Sequence, residues 1–442
     1  MSSVMVRAVI TLLTSISVVL PLDCRTAPPR NMQVGVDADN WKGQTQNPEF
    51  ERSLREMRID FISWHISPEE ERDPARLRAL VDFCRRNKWS YLFNNEIGNY
   101  NRDFAGFRHD DGTYRYDLAD RTLTELKSDP LFLGVVYDEA DLMQELCGVR
   151  DDKGREIAPY FADTRRLPPS EAFLVIAERV AKLQKRYENY GKRLIFEMTF
   201  PDNAFAFARG GGLLAPKLLK ENYNDLMYAV YRGAALEYHS KELWACIDLW
   251  FLSKFPEGGV RCSDCHTPNQ LLEALQYAYS AGFDFAYVEQ VSALLGKGYE
   301  LSQYGEKVRD FQQWQMKHPQ GDWRTAPITT YVKRFPDGYW GQKFSTFIPD
   351  HPYGSWVSNK HREADEQWLK LLNELSHGSI PPDANNWNAL RDPAFNNRPY
   401  RAIAGLPEMV VFDQFGVIPP HTKARVFDFT SQEAKVPTKE RY

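Results

Sequence analysis

The chain has 442 residues, 43% of them hydrophobic and 13% aromatic, with 55 basic against 60 acidic side chains and a formal net charge of −5. That is enough apolar material for a packed core, in one large barrel with insertions or in two ordinary domains. No stripe of Lys and Arg runs along the chain, which argues against nucleic acid as a partner.

The chain opens on Arg7 and an apolar run, residues 8–22, the pattern of a basic n-region and an apolar h-region. The run is shorter than the roughly 20 residues a membrane span needs, and no comparable run follows. An exported protein with no integral membrane span is expected, residues 1–27 being a signal peptide or exported segment. A noncleaved apolar N-terminus is the alternative. Cys24 lies where a lipid anchor would attach, but Asp23 stands where a small residue should precede it. Six cysteines are sparse for a disulfide scaffold, and Cys84 and Cys246 sit in apolar patterns as buried thiols.

From there the chain alternates short apolar runs with amphipathic helical stretches, the rhythm of parallel βα units. Eight strands are predicted, at 33–37, 60–65, 90–94, 132–137, 193–198, 243–250, 283–289 and 328–334. Most are nearly continuous apolar runs, as strands buried on both faces should be. Helices are predicted over 75–87, 168–190, 222–242 and 268–281, with an eighth at 361–377; Pro tends to open them and Gly to close them. The segment Gly210-Gly211-Gly212 reads as a mobile loop after the fifth strand. Eight such units give a (β/α)8 TIM-type barrel over 31–378 with loop insertions, and a C-terminal extension, 379–442, packed on it. An open doubly wound sheet is the runner-up, but no Gly-rich phosphate loop follows the first strand.

In such barrels the chemistry sits at the C-terminal ends of the strands. Those ends carry Asp37, Asp39 and Trp41; Trp64 and His65; Asn94, Asn95 and Glu96; Tyr137, Asp138 and Glu139; Glu197; Asp248 and Trp250; Glu289 and Gln290; and Trp340 beyond the eighth. Buried carboxylates are costly unless they are paired, so a rim that collects several is built to bind or protonate something. The bland reading of each is an ion pair or a helix cap. Nine histidines with no His-x-His at the first strand argue against a zinc or binuclear centre, so no metal and no cofactor is expected, though carboxylates alone leave a Ca²⁺ site open. A Schiff-base lysine would lie within a strand; Lys254, just after one, is a weak candidate. The run Cys262-Ser263-Asp264-Cys265-His266 has the spacing of c-type haem attachment, but as a single match in a predicted loop it reads rather as a disulfide or two thiols.

Carboxylates with aromatic platforms are what glycoside cleavage requires. Through Phe132-Leu133-Gly134-Val135-Val136-Tyr137-Asp138-Glu139-Ala140 and Ala286-Tyr287-Val288-Glu289-Gln290 the chain resembles barrel glycoside hydrolases of the clan with its acid/base after strand four and nucleophile after strand seven. The resemblance implies a glycosidase acting on an oligo- or polysaccharide, with Glu139 as acid/base and Glu289 as nucleophile. It departs from that clan at Asp138, where Asn is usual. The adjacent Asp138-Glu139 also resembles the substrate-assisted hexosaminidase arrangement, in which Glu289 would only bind. Glu197 and Asp248 are reserve candidates in case the strand count shifts, and a non-catalytic sugar-binding barrel is the opposing class. Asp37, Asp39, Trp41, Trp64, His65, Asn95, Glu96, Tyr137, Trp250, Gln290 and Trp340 are the expected substrate-binding residues.

Overall fold

The computed structural model describes residues 31–96, 117–145, 154, 161–164, 167, 169–199, 203–219, 224–252, 260–261, 266–334 and 408–430. The expected leader 1–27, Lys254, Cys262 to Cys265, Trp340 and the helix at 361–377 lie outside them.

Eight parallel strands close a barrel: β1 Gln33–Ala38, β2 Phe61–His65, β3 Ser90–Asn94, β4 Phe132–Tyr137, β5 Arg193–Met198, β6 Leu213–Leu218, β7 Trp244–Ile247 and β8 Phe285–Val288. β1 pairs with both β2 and β8, so no edge is left open. The chain is therefore an α/β, (β/α)8 TIM-type barrel. Burial on both faces explains the apolar runs: alternate residues face the surrounding helices and the barrel interior. The interior is filled by Phe61, Leu92, Val136, Ile195, Ala215, Trp244, Cys246, Phe285 and Tyr287, with Trp244 stacked on Phe285 at 3.9 Å. Helices start where the sequence supplies caps. Asn47 accepts from Glu49 and Phe50 ahead of Pro48–Met57, Asp73 caps Pro74–Asn87, and Thr267 forms a capping box with Gln270 at Pro268–Ala281. Among the described residues no helix is long and apolar enough to cross a membrane.

Two corrections to the strand assignment follow. The run at 328–334 is a strand, β9 Thr330–Lys333, but not a barrel strand. It is the centre of a separate parallel sheet between β10 Met409–Phe412 and β11 Arg425–Asp428. The true extra strand is β6. The three glycines before it form a tight turn: Gly211 has φ 87, and a Cβ at Gly212 would lie 2.5 Å from the Phe196 ring. What reads as strands six and seven is therefore β7 and β8.

The second sheet leans on the helix Asn224–Glu237. The two are packed tightly at Gly233, where a Cβ would lie 1.8 Å from the Val411 carbonyl oxygen. Gly233→Ala should displace that strand at a cost of about 1–3 kcal/mol, read as a lower melting temperature. Near the same seam Asp413 N donates to Glu237 Oε2 at 3.1 Å, and the Tyr238 hydroxyl donates to Asp413 Oδ2. Burial, reinforced by Asp413, pushes the Glu237 carboxyl up to about 9. A carboxyl raised in this way favours the fold below its unfolded value and loses that contribution as pH rises through the folded one. Glu237→Gln should melt like the native protein at about pH 4 and resist the fall in melting temperature that the native protein shows between about pH 5 and 9. Parallel melting curves for the two proteins across that range would show that this pair is not the cause.

Candidate active site

The last inward-facing position of each barrel strand, or the residue just beyond it, carries a polar side chain. In strand order these are Asp37, His65, Asn94, Asp138, Glu197, Lys217, Asp248 and Glu289. The residue two earlier is smaller or apolar on seven strands, Gly35, Ser63, Leu92, Val136, Ile195, Ala215 and Cys246, and is Tyr287 on the eighth. The polar ring thus sits on a packed plug, at the end where barrels place their chemistry.

Lys217 is the hub. Its Nζ lies 2.7 Å from Glu197, 2.8 Å from Glu289, 3.2 Å from Glu139, 3.2 Å from Asp248 and 3.7 Å from Asp138. Burial alone would lower the lysine, but Asp248, Glu197, Glu289 and Asp138 outweigh it and hold the ammonium well above its ordinary range. It is a charged counter-ion, not a free amine poised to form a Schiff base. Burial raises Asp138 well above the carboxylate range, aided by Glu197 and opposed by Lys217, and raises Glu197 against the pull of Lys217. The Tyr287 hydroxyl donates to Glu197 and the Cys246 thiol to Glu289 at 3.5 Å. Burial, with Glu197 as the leading charge, keeps both thiol and phenol protonated.

A second group spans β1 to β4. His65 Nε2 contacts Asp37, and Nδ1 lies 2.9 Å from Glu96. Burial opposes the charge on His65, but the two carboxylates overcome it and raise the imidazole well above its usual value. Burial raises Asp37 against the pull of His65, whereas Glu96 is lowered because His65 outweighs its burial. Asn94 Nδ2 donates to Asp138 at 3.1 Å and reaches Asp37 at 3.4 Å, joining the two groups.

Glu139 is not in the alternating series. Its φ of 41° turns the chain as it leaves β4 and carries its carboxyl back to Lys217. Gln290, after Glu289, is left-handed too, at φ 69. Non-glycine residues in this region are uncommon and cluster at functional sites.

The structure gathers Asp37, His65, Glu96, Asp138, Glu139, Glu197, Asp248 and Glu289 into one rim, and leaves other expected site residues outside it. Trp64 points away from the interior and is buried against Phe50 and Phe83, its indole donating to Cys84 Sγ at 3.2 Å. Tyr137 is buried against Phe161 and Phe196. Asn95 is buried, and Asp39 accepts from Trp41 N and Gln44 in a local turn. Trp41 and Trp250 are exposed, at 65% and 40%, and the Trp250 backbone N donates to Asp248 Oδ1 at 2.6 Å. Sequence reading missed Asn94, Cys246 and Tyr287 as site residues, and Lys217 altogether. The signal for Lys217 was a lone charge within the apolar run 213–219. His266 is buried near Asp248, and burial lowers it to about 4. The renumbered strands also change the carry-over from the resemblance: Glu289 follows β8, and the position after the seventh strand belongs to Asp248.

Among the described residues two sets of donor atoms, each within 4.8 Å of one another, could hold a metal ion: Asp37, His65 and Asp138, and Glu197, Cys246 and Glu289. In the second, the Lys217 ammonium already lies at hydrogen-bond distance from both glutamates.

No protein-family model matches the chain, and no curated protein matches it in sequence. Its structure is similar to those of a spore coat polysaccharide biosynthesis protein of Bacillus subtilis (10% identity, TM-score 0.35, 65% of this chain and 68% of that one) and a D-psicose 3-epimerase of Clostridium cellulolyticum H10 (11%, 0.38, 65% and 100%). It is also similar to a trehalulose synthase (12%, 0.33, 86% and 84%). Likenesses this distant say nothing about the reaction; what the rim can do rests on its own geometry.

Proposed function

We propose that the barrel mouth cleaves glycosidic bonds in an oligo- or polysaccharide, with Glu139 as acid/base and Glu289 as nucleophile. One observation carries this reading. Of the five carboxylates around Lys217, Glu139 and Glu289 keep 8% side-chain exposure each, while Asp138, Glu197 and Asp248 have 1% or less. Those two are the pair a substrate can reach, and the exposed Trp250 beside Asp248 offers a platform for a sugar face. Glu139 Oε1 and Glu289 Oε2, at 3.2 and 2.8 Å from the same nitrogen, are no more than 6.0 Å apart. That bound admits the separation of about 5–5.5 Å usual for retention.

The substrate-assisted reading would put Asp138 against an acetamido group. Asp138 is instead sealed beneath the rim and accepts from Asn94, so the two-carboxylate route is favoured. On this reading the leader-like run 8–22 supports an activity outside the cytoplasm.

The test is release of reducing ends across a panel of glycans, compared with Glu139→Gln and Glu289→Gln. Turnover abolished in both supports the assignment, and turnover unchanged in both rejects it. Binding without turnover on every glycan would favour a sugar-binding barrel.

A further inference from the structure

The geometry points to a divalent-cation site at the β1–β4 side of the rim, with Asp37, His65 and Asp138 as ligands. It does not depend on the glycan reading, because cation binding can be read without turnover.

Three observations converge on it. Donor atoms of Asp37, His65 and Asp138 lie within 4.8 Å of one another, and they come from three different strands of a closed barrel rather than from one loop. One buried oxygen of the same set, Asp37 Oδ1, has no hydrogen-bond donor although its residue is 2% exposed, whereas Asp138 Oδ1 faces the Lys217 ammonium at 3.7 Å. A buried carboxylate oxygen without a donor is costly, and a cation is one way to satisfy it. The third observation lies behind the ligands. His65 turns one nitrogen toward Asp37 and holds the other at 2.9 Å from Glu96. A histidine that binds a metal through one ring nitrogen commonly donates the other N–H to a carboxylate, which fixes the ring and its tautomer. Asn94, between Asp37 and Asp138, orients both carboxylates in the same supporting sense.

The charge of the rim favours the same conclusion. Among the described residues, Lys217 lies beside Asp138, Glu139, Glu197, Asp248 and Glu289, and His65 beside Asp37 and Glu96. Lys217 serves one side of the ring. On the other, among the described residues, the imidazole is the cation in direct contact with Asp37 and Glu96, and a divalent ion would add to its charge. Two carboxylates and one imidazole suit a cation of the Mn²⁺ or Zn²⁺ kind. Three protein ligands leave coordination positions for water.

The experiment uses the full chain, stripped with EDTA and titrated with Mn²⁺ while the free ion is followed by electron paramagnetic resonance. Zn²⁺ competition forms a second arm. The expected result is one tight site per chain. His65→Gln should abolish it, and Glu96→Gln, on a partly exposed side chain outside the ligand set, should weaken it about 10–100-fold. Should His65→Gln fail to fold, the Glu96→Gln shift decides alone. Absence of a stoichiometric site, or a site that neither variant changes, would leave His65 as a plain imidazolium between two carboxylates and overturn the proposal.

Discussion

Glu139→Gln is expected to cut turnover of a natural glycan by about 10²–10⁴-fold, the usual worth of a positioned general acid, while leaving the fold intact. The amide is isosteric, and the backbone that aims it is set by the left-handed turn at Glu139 rather than by the carboxyl. The loss should depend on the leaving group. A substrate with an activated aryl leaving group needs little protonation, so Glu139→Gln should retain far more of its activity there. Glu289→Gln is expected to lose at least as much on both substrate types, because an amide is a poor nucleophile whatever departs. A small anion such as azide should restore turnover in Glu289→Ala by occupying the vacated place. Equal losses on the two substrates for Glu139→Gln would take the acid role away from it. Full activity in Glu289→Gln combined with loss in Asp248→Asn would move the nucleophile to the residue after the seventh strand.

Much of this site could be read before the fold was known, because a parallel barrel buries both faces of each strand and a polar residue ending an apolar run stands out. Asp37, His65, Asp138, Glu197, Asp248 and Glu289 were all visible on that ground. The failures have physical causes. β6 was hidden by Pro216, which removes a backbone donor and reads as a break; the strand tolerates it while pairing with β7 through Lys217 and Leu218. The run at 328–334 forms a strand as its pattern says, but an apolar run carries no information on which sheet receives it. Trp64 and Tyr137 were placed at the site by their nearness to strand ends. Strict alternation contradicts that, since a neighbour of inward His65 or Asp138 must face the helices. Glu139 is the reverse case: alternation would send it outward, and only the positive φ returns it to the rim.

Lys217→Met is expected to be among the most damaging single substitutions in this barrel. The thioether keeps most of the stem and removes the charge, leaving five carboxyls facing one another. Removing one partner of a buried ion pair commonly costs about 3–5 kcal/mol, because the remaining charge stays buried without compensation, and here the remainder is a cluster. The loss should appear at neutral pH as a large fall in melting temperature and in soluble yield. Its pH dependence separates charge from packing. The ammonium itself does not titrate below its raised folded value, so its contribution is constant from acid to neutral pH. The carboxyls do titrate. Burial already raises Asp138 and Glu197, and without the lysine that opposes this they should rise further. Groups raised on folding favour the native state at low pH and lose that contribution as pH climbs through their folded values. The deficit of Lys217→Met should therefore be small near about pH 4–5 and grow toward about pH 7–8. A deficit equal at both ends would mean that the lysine's stem, rather than its charge, holds the rim together.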